Sequence, residues 1–170
     1  MRKPDATYMT GALQMKTHWT KSFVFAVCVL VVSLGVYVRQ ASAHHSFAMY
    51  DQTKVLVLTG VAHQFIAQAN HAELHFYLIG ADGKLARDKD GQLVDWGVEM
   101  AGAAAVAQQG ITGESFKAGT IFTVHMNPLR TGGNFGSRVG PIYKCPWRTP
   151  PAPGKTCDTV KGMTTIGGNF

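Results

Sequence analysis

His44 and His45, directly behind the small residues Ala41 and Ala43, are the positions in this chain best placed to do chemistry. A chain cut after Ala43 would begin with His44, whose free amine and ring nitrogen can close on one metal ion as a chelate. His45 sets a second imidazole beside it. Four more histidines follow, at His63, His71, His75 and His125. Imidazole and amine nitrogens suit Cu(II) in a tetragonal geometry, so copper is the expected cofactor, in an arrangement similar to the histidine brace of copper oxygenases and copper carriers. The further ligand is expected from a polar strand face, where His75 and His125 fall by alternation, or from the turn at His71. His63 lies near Gly60 with no partner visible in the sequence, and His75, between Glu73 and Tyr77, also reads as an ordinary surface hydrogen-bonding group.

The cut itself is expected from the preceding segment. An uncharged run from Phe23 to Val38 follows Lys16 and Lys21 and ends at Ala41-Ser42-Ala43, the layout of a cleavable secretory signal. Residues 1–43 are therefore read as a signal peptide, with Met15 as the expected initiator. The sixteen residues of the run fall short of the roughly 20 that a spanning helix needs, so no stable membrane anchor is expected after cleavage. Phe25-Ala26-Val27-Cys28 lacks the small residue that precedes a lipidated cysteine, and Cys28 is expected to leave with the leader. The expected location is the periplasm or the exterior.

Processing changes what the composition implies. Residues 44–170 are enough for one domain that buries roughly two-thirds of its unfolded surface. The leader holds five basic residues (Arg2, Lys3, Lys16, Lys21, Arg39) against Asp5, so the net charge of +6 drops to +2. Nucleic-acid binding then loses its electrostatic basis. Cys145 and Cys157 remain, and in an oxidising compartment two cysteines at that spacing are expected to form a disulfide. Two distant cysteines are too few for a thiolate zinc site.

The elements that must position the histidines read mostly as strands. Lys54–Ile66 alternates and is interrupted by Gly60, which marks a bulge or bend. Ala72–Ile79 sets Leu74, Phe76 and Leu78 against Glu73, His75 and Tyr77, and Leu93–Met100 turns Val94, Trp96, Val98 and Met100 inward. Asp82-Gly83 and Asp90-Gly91 signal turns around a charged insertion. Ala101–Gln109 is alanine-rich and stops at Gly110, which predicts a short helix. Thr120–Asn127 is a further strand, with Phe122, Val124 and Met126 opposite His125. Beyond Leu129 the pattern degrades. Thr131–Gly136 reads as loop, residues 133–170 as a proline- and glycine-rich tail pinned by the disulfide, and only Thr164–Ile166 keeps a weak strand signal. The expected fold is an all-β, small OB-like closed or partly closed barrel over residues 44–132 with one short helix, a flattened β-sandwich being the alternative.

Several motifs taken in order look familiar: His44-His45-Ser46-Phe47, Leu58-Thr59-Gly60-Val61, Asn70-His71, Trp96-Gly97-Val98-Glu99-Met100, Gly110 through Gly119, and Asn127-Pro128-Leu129-Arg130. Together they resemble an uncharacterised bacterial exported family, a domain of unknown function, over roughly residues 44–132. The resemblance implies a small exported β-rich domain. The chain departs from that family at Ala69-Asn70-His71, where the family has tryptophan followed by Asn-Pro-His, and beyond Phe135, where Cys145 and Cys157 replace a short closing strand.

Other chemistries find less in the sequence. Trp96, Met100, Met126 and His125 are the residue types of a Cu(I) site, but the first three face the core and His125 faces away. Asp95 and Glu99 are a carboxylate pair on one strand face, with no nucleophile beside them, and read as a solvated face. Gly154-Lys155-Thr156 ends like a phosphate loop but lacks its first glycine. An oxidative copper enzyme would need an open coordination position and a substrate surface, so catalysis is not the leading expectation. The reading from another class is a metal-free module whose barrel face or loops contact an envelope protein or a small ligand.

Overall fold

The computed structural model describes residues 48–168. His44 and His45, and the expected signal segment, lie outside them. Five strands build a closed barrel: β1 (Leu56–Ala67), β2 (His71–Leu78), β3 (Asp95–Ala101), β4 (Ile121–Pro128) and β5 (Phe135–Lys144). Strand β1 pairs antiparallel with both β2 and β4, β2 with β3, and β4 with β5. A parallel seam, Gly97–Glu99 on Phe135–Ser137, joins β3 to β5 and closes the cylinder. This is the OB-like order, with the one short helix, α1 (Ala103–Ala107), between β3 and β4. The flattened sandwich is not what forms.

Gly60 is where β1 passes from one neighbour to the other, since it pairs with Phe122 of β4 and with Leu78 of β2. A Cβ there would run into the Phe76 ring and come within 2.8 Å of the Tyr77 carbonyl oxygen. The bulge expected near Gly60 falls three residues later. Ala62 pairs with Phe76 and Gln64 with His75, which leaves His63 as the extra residue.

The barrel interior is apolar. Leu74, Phe76, Val98, Phe122, Val124, Met126 and Ile142 are fully buried, and Val106 of α1 and Phe116 plug one end. Phe122 is central, with the Phe76 ring edge-on at 5.1 Å and the Phe116 ring edge-on at 5.4 Å. Met100 and Met126 belong to this core and Trp96 packs against it, which is the role expected of them in place of a soft-metal site. Helix α1 ends at Ala107, and the turn that follows closes at Gly110, whose φ of 79° is open to glycine without a Cβ penalty.

The segment read as tail contributes more than expected. Strand β5 begins at Phe135, and its second half pairs with a short β6 (Thr164–Ile166), the weak strand signal of the sequence. Opposite His125 the ladder skips from Arg138 to Ile142, so Val139, Gly140 and Pro141 form a bulge that bends β5 around the barrel. Two glycines and a proline within one strand hide the alternation that sequence reading depends on.

Cys145 and Cys157 form the expected disulfide. Closing this loop stabilises the fold by about 3 kcal/mol in the chain-entropy model. Cys157 is buried, and its backbone N–H donates to the Thr123 hydroxyl at 2.9 Å. Thr123 is in turn 2.7 Å from the hydroxyl of Thr59 on the neighbouring strand. The loop thus covers two buried hydroxyls on the outside of β1 and β4, and each is hydrogen-bonded. Among the described residues no helix is long and apolar enough to cross a membrane.

Candidate functional site

Alternation along β2 sends Ala72, Leu74 and Phe76 inward, so His71, Glu73, His75 and Tyr77 stand on the outer face. The register sets Tyr77 opposite Asp95 and Glu73 opposite Glu99 on β3. The bulge adds His63 of β1 to the same face. The outcome is a strip in which each imidazole is held by a carboxylate. His63 Nε2 is 2.8 Å from Asp95 Oδ1, His75 Nε2 is 3.0 Å from Glu73 Oε2, and His71 Nδ1 is 3.1 Å from Glu99 Oε1. His63 also stacks on Tyr77, with ring centres 4.4 Å apart.

Glu99 has a second partner that joins this strip to the start of the described chain. Tyr50 is only 1% exposed, and its hydroxyl donates to Glu99 Oε2 at 2.8 Å. The backbone around Tyr50 is clamped along the end of β4: Asp51 N–H donates to the Pro128 carbonyl, Arg130 N–H to the Met49 carbonyl, and Arg130 Nε to the Ala48 carbonyl. The motif Asn127-Pro128-Leu129-Arg130 therefore has a job. It lays residues 48–51 against the barrel so that Tyr50 reaches Glu99 beside His71.

Residues 30–138 match a family described as a family of unknown function, DUF6152. The chain belongs to that family. Neither a curated protein nor a solved structure matches it. The DUF6152 stretch takes in His44, Tyr50, His71, Glu99 and Arg130, whereas the second half of β5 and the disulfide loop lie beyond it.

The expected metal ligands are distributed unevenly within this DUF6152 chain. His71 and His75 share the β2 face. His125 does not join them. It lies on the outer face of β4, opposite Val57, with its ring 5.9 Å from that of Tyr143. His75 pairs at Gln64, so along β1 the two sites are about 20 Å apart at a strand's rise per residue. Among the described residues no three His, Cys, Asp or Glu side chains converge as a metal-ligating group. Asp95 and Glu99 do not act as a pair with each other, because each faces a different histidine. Tyr50 is the member that sequence reasoning missed, while His63 was seen there without its partner Asp95 and Glu99 only as part of a solvated face.

One arrangement has a familiar chemical use. With Nδ1–H of His71 donating to Glu99, Nε2 keeps its lone pair, and the side chain is 43% exposed. A carboxylate behind an imidazole fixes the ring's tautomer and orientation, which is how metal-binding histidines are held. Tyr50 pins that carboxylate from its other oxygen.

The same contacts make Tyr50 pH-sensitive. Burial, then the hydrogen bond and negative charge of Glu99, then the charge of Glu73, push its phenol well above the ordinary tyrosine range. A pKa raised on folding contributes stability that is complete below the unfolded value near pH 10 and is lost as pH rises through the folded one. Urea unfolding should therefore show a loss of about 1 kcal/mol per pH unit above about pH 10, and Tyr50→Phe should remove that part of the slope. Equal slopes for the two proteins would remove Tyr50 as the cause.

Proposed function

We propose that the protein is exported, cleaved after Ala43, and binds copper through the amine and ring of His44, with His71 as the further nitrogen ligand. The observation that carries this reading is Glu99, which holds Tyr50 with one oxygen and His71 with the other. Tyr50 follows His44 by six positions, a span that a fully extended chain covers in at most about 20 Å. Tyr50 itself stands within one carboxylate of the exposed His71 imidazole, whereas His125 stands on another part of the barrel. His45 is the remaining candidate for the coordination sphere. Small-ligand and protein-interaction roles gain no comparable observation on this face.

The test is N-terminal sequencing of the protein isolated from expressing cells, followed by Cu(II) titration of variants. The sequence should begin His-His-Ser. His71→Ala should weaken binding by at least about tenfold and Glu99→Gln by about tenfold, the scale of a lost supporting contact, while His75→Ala and His125→Ala should change little. A chain beginning Ser-Ala-His would replace this chelate with one in which His44 is third. Undiminished binding in His71→Ala would overturn its assignment, and absence of copper binding would overturn the reading as a whole.

A further inference from the structure

The disulfide loop has a composition unlike the rest of the barrel. Between Lys144 and Cys157 it carries Trp147, Arg148, Lys155 and four prolines, and no carboxylate. Trp147 is 52% exposed, unusual for the largest apolar side chain. Lys117, from the turn before β4, sits 5.0 Å from its ring centre, and Arg148 lies 5.7 Å away. Burial, and after it the charge of nearby Lys117, lowers the pKa of the Lys144 ammonium group. Among the described residues none of the ion pairs uses Lys117, Lys144, Arg148 or Lys155. Arg148 has a φ of 56°, a left-handed conformation that a side chain of this size rarely adopts. Like charges thus gather around an exposed indole on a loop stiffened by prolines and closed by a covalent bond.

We propose that this loop is a docking surface for an anionic phospholipid bilayer. Trp147 would sit at headgroup depth, where an indole keeps its N–H wet and its rings in the apolar boundary. Lys117, Lys144 and Arg148 would meet lipid phosphates, which relieves the repulsion that the free protein carries. Charge complementarity selects this occupant. A neutral surface would leave the cations uncompensated, and a soluble polyanion would leave the indole exposed. The proposal is independent of the copper reading, because it uses none of the residues of the β2–β3 face.

The experiment is co-sedimentation of the protein, in the form isolated from expressing cells, with mixed phosphatidylglycerol–phosphatidylcholine vesicles and with phosphatidylcholine vesicles alone. Binding to the neutral vesicles reads any contribution of the apolar segment 23–38, which all variants share. Partition onto the anionic vesicles should exceed that baseline, fall with added salt, and drop about fivefold for each of Lys117→Ala and Arg148→Ala. Trp147→Ala should lose at least as much and also the blue shift of tryptophan emission on vesicles. Thermal unfolding unchanged in Trp147→Ala, an exposed position, would show that the fold is intact. Wild-type binding that is equal on both vesicle types, or unaltered in Trp147→Ala and Arg148→Ala, would overturn the proposal. So would binding to a soluble acidic polysaccharide with no excess on anionic vesicles.

Discussion

A single residue added ahead of His44 should weaken copper binding by at least about a hundredfold, equivalent to about 2.7 kcal/mol, although every imidazole in the protein remains. The proposed chelate needs the α-amine and the ring of one residue on the same ion. Acylating that amine by an extra residue turns it into an amide nitrogen, a poor donor at neutral pH, and opens the ring that the two nitrogens close with the metal. His71 would be left with side-chain imidazoles alone as partners. Coordination also competes with protons at both nitrogens, so the affinity of the native form should fall as pH falls. Titration against a competing copper chelator, with the native and extended forms side by side, reads both effects. Equal affinity in the extended form would exclude the N-terminal chelate.

Phe122→Ala should destabilise the barrel by about 3–5 kcal/mol, a large share of the 5–15 kcal/mol that holds typical domains together. The side chain is fully buried, and its ring meets Phe76 on one side and Phe116 on the other. Those neighbours come from β2 and from the segment before β4, so neither can move into the void without dragging its own backbone. Urea unfolding followed by far-UV circular dichroism measures the loss. A cost under about 1 kcal/mol would mean that the core collapses around the gap and that packing at this point is loose.

The four strands whose residues alternate cleanly were legible, and so were the helix, from its alanines and Gly110, and the disulfide, from the two cysteines beyond the expected leader. Strand β5 was not, because Gly136, Gly140 and Pro141 break the period at the places where the barrel needs the chain to bend. The site followed the same division. Alternation assigned His71, Glu73, His75 and Glu99 to the outer face, but a period of two says nothing about which neighbour arrives from elsewhere. Tyr50 belongs to no periodic element, and its backbone joins the barrel through an isolated bridge to Leu129. His63 is the extra residue of a bulge in β1, and bulges leave a weak trace in sequence.

The closing seam has a consequence for motion. Strand β3 holds β2 through seven paired residues but holds β5 through only three, in the parallel arrangement that is slightly weaker per residue. Breathing of the cylinder is therefore concentrated along that line, in local openings that cost less than global unfolding. Glu99 is one of the three seam residues, and its side chain grips both Tyr50 and His71. The carboxylate strip thus borders the barrel's shortest seam, where small adjustments cost least, while the side built by β1 and β4 and covered by the disulfide loop keeps its shape.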